Sequence, residues 1–411
     1  MLSFKADKLA WGRFAVVFAA VLVINNLTIV PDAQMQPLSF DKPRQLELAA
    51  QQERRTITEY NESGESGSQI KIKYSDGNHS MEIRTKGGLA FTDTDADIKS
   101  IAQDGYLMIE ERRGSLSRKL EVVQGTDGQP QRSYYVRGQA HAFDQEGRAW
   151  LAEILPEVIR NSAIGAQARV ERIFRQRGAS GVLDEISLIK SDGAKRIYFR
   201  ELLGRNNLET PILRRAAHQA AREISSDGEK AYLLIESADL YLDNEAVTAD
   251  FFSSIRSIHS DGEHSRVLSA LLKKRLGNEN TLRTLNSARA ISSDGEKADL
   301  LIQHADTFLT HSSLVPTLFD TINSISSDGE RARVLTSLLK RQTLSRENLA
   351  RLIRSAERIS SDGEKANVLL AAIKVYSGDG AALSAIAEAI KTISSDGEKQ
   401  RVLSAMERHG H

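Results

Sequence analysis

Several groups of residues in this chain have the types and spacing that chemistry requires. Asp93, Asp95 and Asp97 stand at alternate positions, the spacing at which a calcium loop presents carboxylates. The sixth position of such a loop is Ile98 where glycine would make the turn, and no glutamate stands at the twelfth. The segment therefore reads as an acidic surface loop. His259 and His264 flank Asp261 and Glu263 as zinc ligands at a helix start could, but the other copies of this segment carry Ser and Lys or Arg there, which is the pattern of a helix cap. His304 and His311 have no third ligand nearby, and His409 and His411 lie in a terminus expected to fray. A hydrolase would need Glu110, Glu111, Asp144 and Glu153 to meet in one pocket. No Gly-x-Ser-x-Gly elbow, phosphate loop, dinucleotide fingerprint or His-Glu-x-x-His is found, and the absence of cysteine removes thiol nucleophiles and thiolate ligands. The expectation is a chain without catalytic residues, cofactor or metal, acting by binding.

The most regular group is a ladder. Ile224-Ser225-Ser226-Asp227-Gly228-Glu229-Lys230 recurs in close copies, with its aspartate at Asp192, Asp227, Asp261, Asp294, Asp328, Asp362 and Asp396, about 34 residues apart, a repeat-array period. The aspartates with Lys230, Lys297, Arg331, Lys365 and Lys399 could form a row that binds a ligand at helix N-termini. An Asp and a Glu beside each terminus oppose an anion, so helix capping is the stronger reading. The Ser-x-x-Glu spacing of a capping box occurs as Ser226/Glu229, Ser260/Glu263, Ser293/Glu296, Ser327/Glu330, Ser361/Glu364 and Ser395/Glu398. Asp227 and its equivalents put negative charge at the positive end of the following helix. Gly228 and its equivalents would let two helices pass closely. The first copy, Ser191-Asp192-Gly193-Ala194, lacks the glutamate and should be an irregular capping unit.

Two helices must position each motif. Isoleucine stands three residues before every aspartate, and Ile or Ala six before it, which makes one apolar helical stripe ending at the motif. A large apolar residue, Phe199 or Leu234 through Leu403, lies seven residues after it, on a second helix that begins there. The copies alternate. Arg266-Val267-Leu268, Arg333-Val334-Leu335 and Arg401-Val402-Leu403 match one another, with Tyr232, Asp299 and Asn367 opening the equivalent segments between them, so two hairpins of about 68 residues form a higher unit. The expected fold is mainly α, an αα-hairpin solenoid of about seven repeats over residues 179–411. The period is that of tetratricopeptide repeats, whose Trp and Leu-Gly signature is missing.

The preceding chain divides by composition. Lys5, Lys8 and Arg13 precede an apolar run of about 17 residues interrupted by Asn25 and Asn26, so residues 1–33 read as a signal peptide or signal anchor. Residues 34–67 are polar and read as a flexible linker. Residues 68–143 alternate with period two, giving strand candidates at Ile70–Tyr74, Met81–Thr85, Leu89–Phe91, Tyr106–Glu111, Leu116–Val123 and Ser133–Arg137, a small antiparallel β-rich module. Residues 144–178 read as a helical connector capped by Asp144, with Pro156 expected to interrupt or kink its first helix, a second helix at 166–176 and a third at 182–189.

Gly105-Tyr106-Leu107-Met108-Ile109-Glu110-Glu111-Arg112, then Glu146-Gly147-Arg148-Ala149-Trp150-Leu151, then the Ile-Ser-Ser-Asp-Gly-Glu-Lys copies, resemble uncharacterised bacterial αα-repeat proteins. Related extracytoplasmic segments are sometimes attached to membrane metallopeptidases of the beta-lactam-sensor type, whose peptidase domain this chain lacks. The resemblance covers Ser68 to the C-terminus and implies an accessory or sensing role. With 55 basic and 55 acidic residues the net charge is +0, so no overall field recruits nucleic acid. The combined expectation is an exported scaffold, tethered to the inner membrane by its N-terminal segment with the body outside the cytoplasm, or periplasmic or secreted if that segment is cleaved. It would bind a protein or peptide through its helices. The alternative is an extracytoplasmic sensor whose β-rich part binds a small molecule or cell-wall fragment.

Overall fold

The computed structural model describes residues 58–64, 67–274, 276–341 and 344–409. The expected signal segment 1–33 and most of the expected linker lie outside the described residues. No helix among the described residues is long and apolar enough to cross a membrane. The chain is mainly helical with a small antiparallel sheet.

Among the described residues nine strands come first: β1 (Thr58–Gly64), β2 (Gly67–Asp76), β3 (His79–Lys86), β4 (Leu89–Phe91), β5 (Ile98–Ile101), β6 (Tyr106–Arg113), β7 (Leu116–Gln124), β8 (Pro130–Val136) and β9 (Gln139–His141). Seven pair in the antiparallel order β1-β2-β3-β6-β7-β8-β9, while β4 and β5 form a separate hairpin inserted between β3 and β6. Strand β1 corrects the expected linker: residues 58–64 pair with β2, from Thr58 opposite Lys73 to Gly64 opposite Gly67. Its sequence, Thr-Glu-Tyr-Asn-Glu-Ser-Gly, has no apolar alternation, so composition could not reveal a strand held by ladder hydrogen bonds at a sheet edge.

Register explains the core. Ile72 lies opposite Ile83, Ile83 opposite Ile109, Ile109 opposite Leu120, and Leu120 opposite Tyr134, so one buried apolar row crosses five strands on a single face. Helix α1 (Gln145–Ser162) covers that row with Trp150, Leu151, Ile154, Leu155, Val158 and Ile159. Each such fully buried side chain contributes roughly 1.5–3 kcal/mol. The expected interruption at Pro156 does not occur, because the helix runs through it to Ser162. Proline removes one backbone donor there, and burial of the residues on either side holds the helix together. Helix α2 (Ala166–Ile186) joins the expected second and third helices, which meet at Gly178 with φ 66° and ψ −171°, a backbone state that only glycine adopts without strain.

After α2 the helices alternate between two kinds. The B helices are α3 (Asp192–Leu203), α5 (Asp227–Leu242), α7 (Asp261–Leu272), α9 (Asp294–Gln303), α12 (Asp328–Lys340), α14 (Asp362–Tyr376) and α16 (Asp396–His409), and every one starts on the motif aspartate. The A helices before them are the end of α2, then α4 (Thr210–Glu223), α6 (Glu245–Arg256), α8 (Asn278–Ala288), α11 (Val315–Asn323), α13 (Arg346–Glu357) and α15 (Gly380–Ile390). A short helix α10 (Ala305–Leu309) follows α9. Helices of each kind pack on their own kind, making two layers over one continuous core that runs from Ala166 to Ala405. The isoleucine before every motif is buried in that core. The leucine row after it is buried through Leu369, whereas Leu403 in the last copy is 38% exposed.

Candidate functional site: a staple between successive helical repeats

Each motif serine caps its own B helix. Ser226 Oγ accepts from the Glu229 N–H at 3.3 Å, and Ser260, Ser293, Ser327, Ser361 and Ser395 accept likewise from Glu263, Glu296, Glu330, Glu364 and Glu398 at 3.3–3.4 Å. The reciprocal half of a capping box is replaced. The Ser226 N–H donates to Asp192 Oδ2 of the preceding copy at 2.7 Å, and the Ser225 N–H donates to the same oxygen at 2.9 Å. The arrangement repeats down the chain: Asp227 takes the N–H groups of His259 and Ser260, Asp261 those of Ser292 and Ser293, and Asp294 those of Ser326 and Ser327. Asp328 then takes Ser360 and Ser361, and Asp362 takes Ser394 and Ser395. Those two bonds hold the Asp362 carboxyl below the usual aspartate range. The motif glutamates turn elsewhere: Glu229 to Arg196 of the preceding copy at 2.5 Å, and Glu263, Glu330 and Glu398 to the arginine three residues on, at 2.7 Å each.

The basic residue of the motif closes the other side of the junction. Lys230 Nζ donates to the Ser257 carbonyl at 3.1 Å, Lys297 to Ser324 at 3.3 Å, Arg331 to Arg358 at 2.8 Å and Lys365 to Thr392 at 2.9 Å, each at the end of the next copy's A helix. Lys195 does the same to Glu223. A helix C-terminus leaves carbonyls without intrahelical partners, and a cation there also meets the negative end of the dipole. Burial pushes the Lys230 and Lys297 pKa values down, against the nearby motif aspartates. His264 replaces the cation in one copy and instead bonds Ser287 Oγ at 2.9 Å, while burial lowers its pKa. Each copy before the last therefore spends its Asp on the backbone of the copy that follows, and the Lys or Arg of the first, second, fourth, fifth and sixth copies does the same.

Two expectations about the motif are corrected. A Cβ at Gly228 would meet nothing nearer than Ser226 Oγ at 3.8 Å, so close passage of helices does not require the glycine. The first copy is regular in its outgoing contacts, since Ser191 caps Ala194 at 3.2 Å and Asp192 reaches Ser225 and Ser226. What precedes it is different: Asn161 of α1 accepts from the Lys190 N–H at 2.8 Å, in the place where a preceding motif aspartate would act. Helix α1 thus closes the N-terminal end of the array.

The alternation of copies also has a physical basis. Five residues after the motif aspartate, the Arg266 guanidinium lies 4.3 Å from the Tyr232 ring centroid, Arg333 pairs with Asp299 at 2.7 Å, and Arg401 bonds Asn367. The arginines of the third, fifth and seventh hairpins grip the residue at the same height on the second, fourth and sixth.

The carboxylates weighed for hydrolysis do not converge. Glu111 is buried on the inner face of the sheet, where it accepts from Trp150 Nε1 at 2.7 Å and Arg113 Nε at 2.7 Å and meets His79 Nε2 at 2.9 Å. Burial raises its pKa, and these partners more than reverse the shift, leaving it lowered. Glu110 pairs with Arg112 on the opposite face, Glu153 pairs with Arg113, and Asp144 caps α1 through the N–H groups of Glu146 and Gly147. The acidic loop is also not merely solvated. Asp95 is buried against Arg169 at 2.8 Å and Arg172 at 2.5 Å, and Asp97 binds Arg132 at 2.8 Å. Arg169 continues to Glu185 at 2.8 Å and Tyr198 at 3.2 Å, and Glu185 also holds Arg160 at 2.5 Å. Burial opposes the Arg169 charge, and Tyr198, Glu185 and Asp95 outweigh it, so its pKa is raised. This joint binds the β4–β5 hairpin to α1, α2 and α3. Its members lie up to about 100 residues apart, and no local spacing announces them.

His304 bonds Ser269 at 2.9 Å and His311 is exposed, so the two do not share a site. Among the described residues no group of three or more His, Cys, Asp or Glu side chains could hold a metal ion. No protein-family model and no curated protein matches the chain.

Proposed function

We propose that this chain is an exported αα-solenoid of seven hairpins that binds a protein or peptide partner through its B-helix layer, with no catalytic role. The observation that supports this reading is the division of labour along each B helix. The motif Asp, Ser and Lys or Arg are consumed between copies, whereas the residues five and eight positions after the aspartate stay accessible and vary. Tyr232 is 49% exposed, and Ile235, Ile302 and Leu370 are half-buried, alternating with Ser269, Thr336 and Ser404 at the equivalent place. Stacked repeats present such rows as one extended surface, the usual binding surface of this architecture. Residues 1–33 would supply export and tethering, and the motif resemblance to extracytoplasmic repeat segments favours the same placement.

The test is cross-linking and capture from a bacterial envelope extract with the full chain and with the Ile235→Lys, Ile302→Lys, Leu370→Lys triple variant. A partner held by the parent and released by the variant at an unchanged circular-dichroism melt supports the reading. Identical partners for both proteins, or none, would sink it.

A further inference from the structure

The solvent face of the sheet contains a basin of about 520 Å³ between the β6–β7 and β8–β9 turns, within the size range of small-ligand sites. Its lining includes Arg112, Lys119 and Arg137 against one acid, Glu110, with Ser117 and Tyr135 between them. Pairing across the sheet makes this arrangement: Glu110 lies opposite Lys119, Lys119 opposite Tyr135, and Arg112 opposite Ser117. Two of the cations are held in place, Arg112 by Glu110 at 2.7 Å and Lys119 by Glu121 at 3.1 Å and by the Tyr135 ring at 4.3 Å. Arg137 has no ion pair or side-chain hydrogen bond among the described residues.

Arg137 also occupies an unusual backbone state. It and Gly138 form the two-residue turn between β8 and β9, with φ of 52° and 80°. Asn or Gly is the ordinary residue at the first of these positions, and strain of this kind concentrates at ligand clamps. Its N–H donates to the Ser117 carbonyl at 2.8 Å, which fixes the turn against the start of β7.

We propose that this basin binds a phosphate group, with Arg137 as the principal contact and Lys119, Arg112 and the Ser117 hydroxyl as further donors. Guanidinium, ammonium and hydroxyl donors around one opening match an acceptor with several charged oxygens. The site is independent of the helical surface proposed above. A soluble phosphate ester and a phospholipid headgroup share this chemistry.

Calorimetric titration of the full chain with inorganic pyrophosphate at low salt tests the site, alongside sedimentation with phosphatidylglycerol and phosphatidylcholine vesicles. Saturable pyrophosphate binding is expected, weakened at least tenfold by Arg137→Gly with Lys119→Gln and unchanged by Lys71→Gln on the same face. Glycine relieves the positive φ, so Arg137→Gly alone should not lower the melting temperature. If phosphatidylglycerol is preferred and the double variant loses that preference, the headgroup is the source. If pyrophosphate binds without any vesicle preference, the source is soluble. Absence of saturable binding to either probe, or equal binding by parent and double variant, overturns the proposal.

Discussion

Two regions of this molecule hold their parts together with carboxylate and cation pairs in opposite ways. At the joint between the sheet and the first helices, Asp95, Arg169 and Glu185 are buried and contact one another's side chains. At the repeat junctions, Asp294 and Lys297 direct their charges to main-chain groups of the next copy, Asp294 to the Ser326 and Ser327 N–H groups and Lys297 to the Ser324 carbonyl. Recognition of backbone can be reused wherever the same helix ends meet, because every residue except proline carries the same donor and acceptor. Recognition of side chain by side chain requires each partner to be encoded separately. That is why the junction recurs as a visible motif and the joint does not.

The comparison can be broken most severely at the joint. Arg169→Met should cost about 3–5 kcal/mol in denaturant unfolding, because it leaves Asp95 and Glu185 buried without their shared cation. A loss below about 1 kcal/mol would show that the remaining arginines already neutralise both acids. At a junction, Asp294→Ala should cost about 1–3 kcal/mol, the range of hydrogen bonds to a charged group, since the freed N–H groups of Ser326 and Ser327 are exposed enough to meet water. The discriminating measurement is hydrogen exchange: protection should fall at Ser326 and Ser327 in the next copy, and the idea fails if it falls only within α9. Ser293→Ala removes a cap within one helix and should cost about 1 kcal/mol.

Acid should separate the copies further. His264 and His304 have pKa values lowered from 6.5 by burial, so below about pH 6.5 the unfolded chain binds protons that the folded chain refuses. Stability attributable to them is full above that pH and declines as pH falls towards their folded values. Replacement of His264 by Lys, the residue of neighbouring copies, should flatten this dependence, measured as melting temperature from pH 7 to pH 5. An unchanged slope would assign the acid sensitivity elsewhere. The smallest effect belongs to the surface pair of Arg333 and Asp299, for which Arg333→Ala should cost no more than about 1 kcal/mol.

Periodicity made the helices and their junctions legible. The isoleucine and leucine rows and the Ser-x-x-Glu spacing are local signals, each produced by one turn of helix. The same signals led to an incomplete account of the motif, because a capping box explains Ser and Glu but gives Asp only a diffuse role beside a dipole. The spacing of about 34 residues, from Asp227 to the paired residues His259 and Ser260, was the available hint, since a side chain constant in every copy can answer a backbone constant in every copy. Strand β1 and the buried Asp95 gave no such hint.

What the sequence by itself determined is the mainly helical repeat, the position of every B-helix start, the strands β2, β3, β4, β6, β7 and β8, and the alternation of two kinds of copy, whereas β5 and β9 were not among the expected strands. Each depends on a pattern within one element or on repetition of that pattern. The tertiary structure alone decided which groups answer each other: Asp to the next copy's N–H groups, Lys to the next copy's carbonyl, Asn161 in place of a missing aspartate, and Arg169 between Asp95 and Glu185. These contacts join residues about 15 to 75 positions apart, and only packing of the layers brings them within reach.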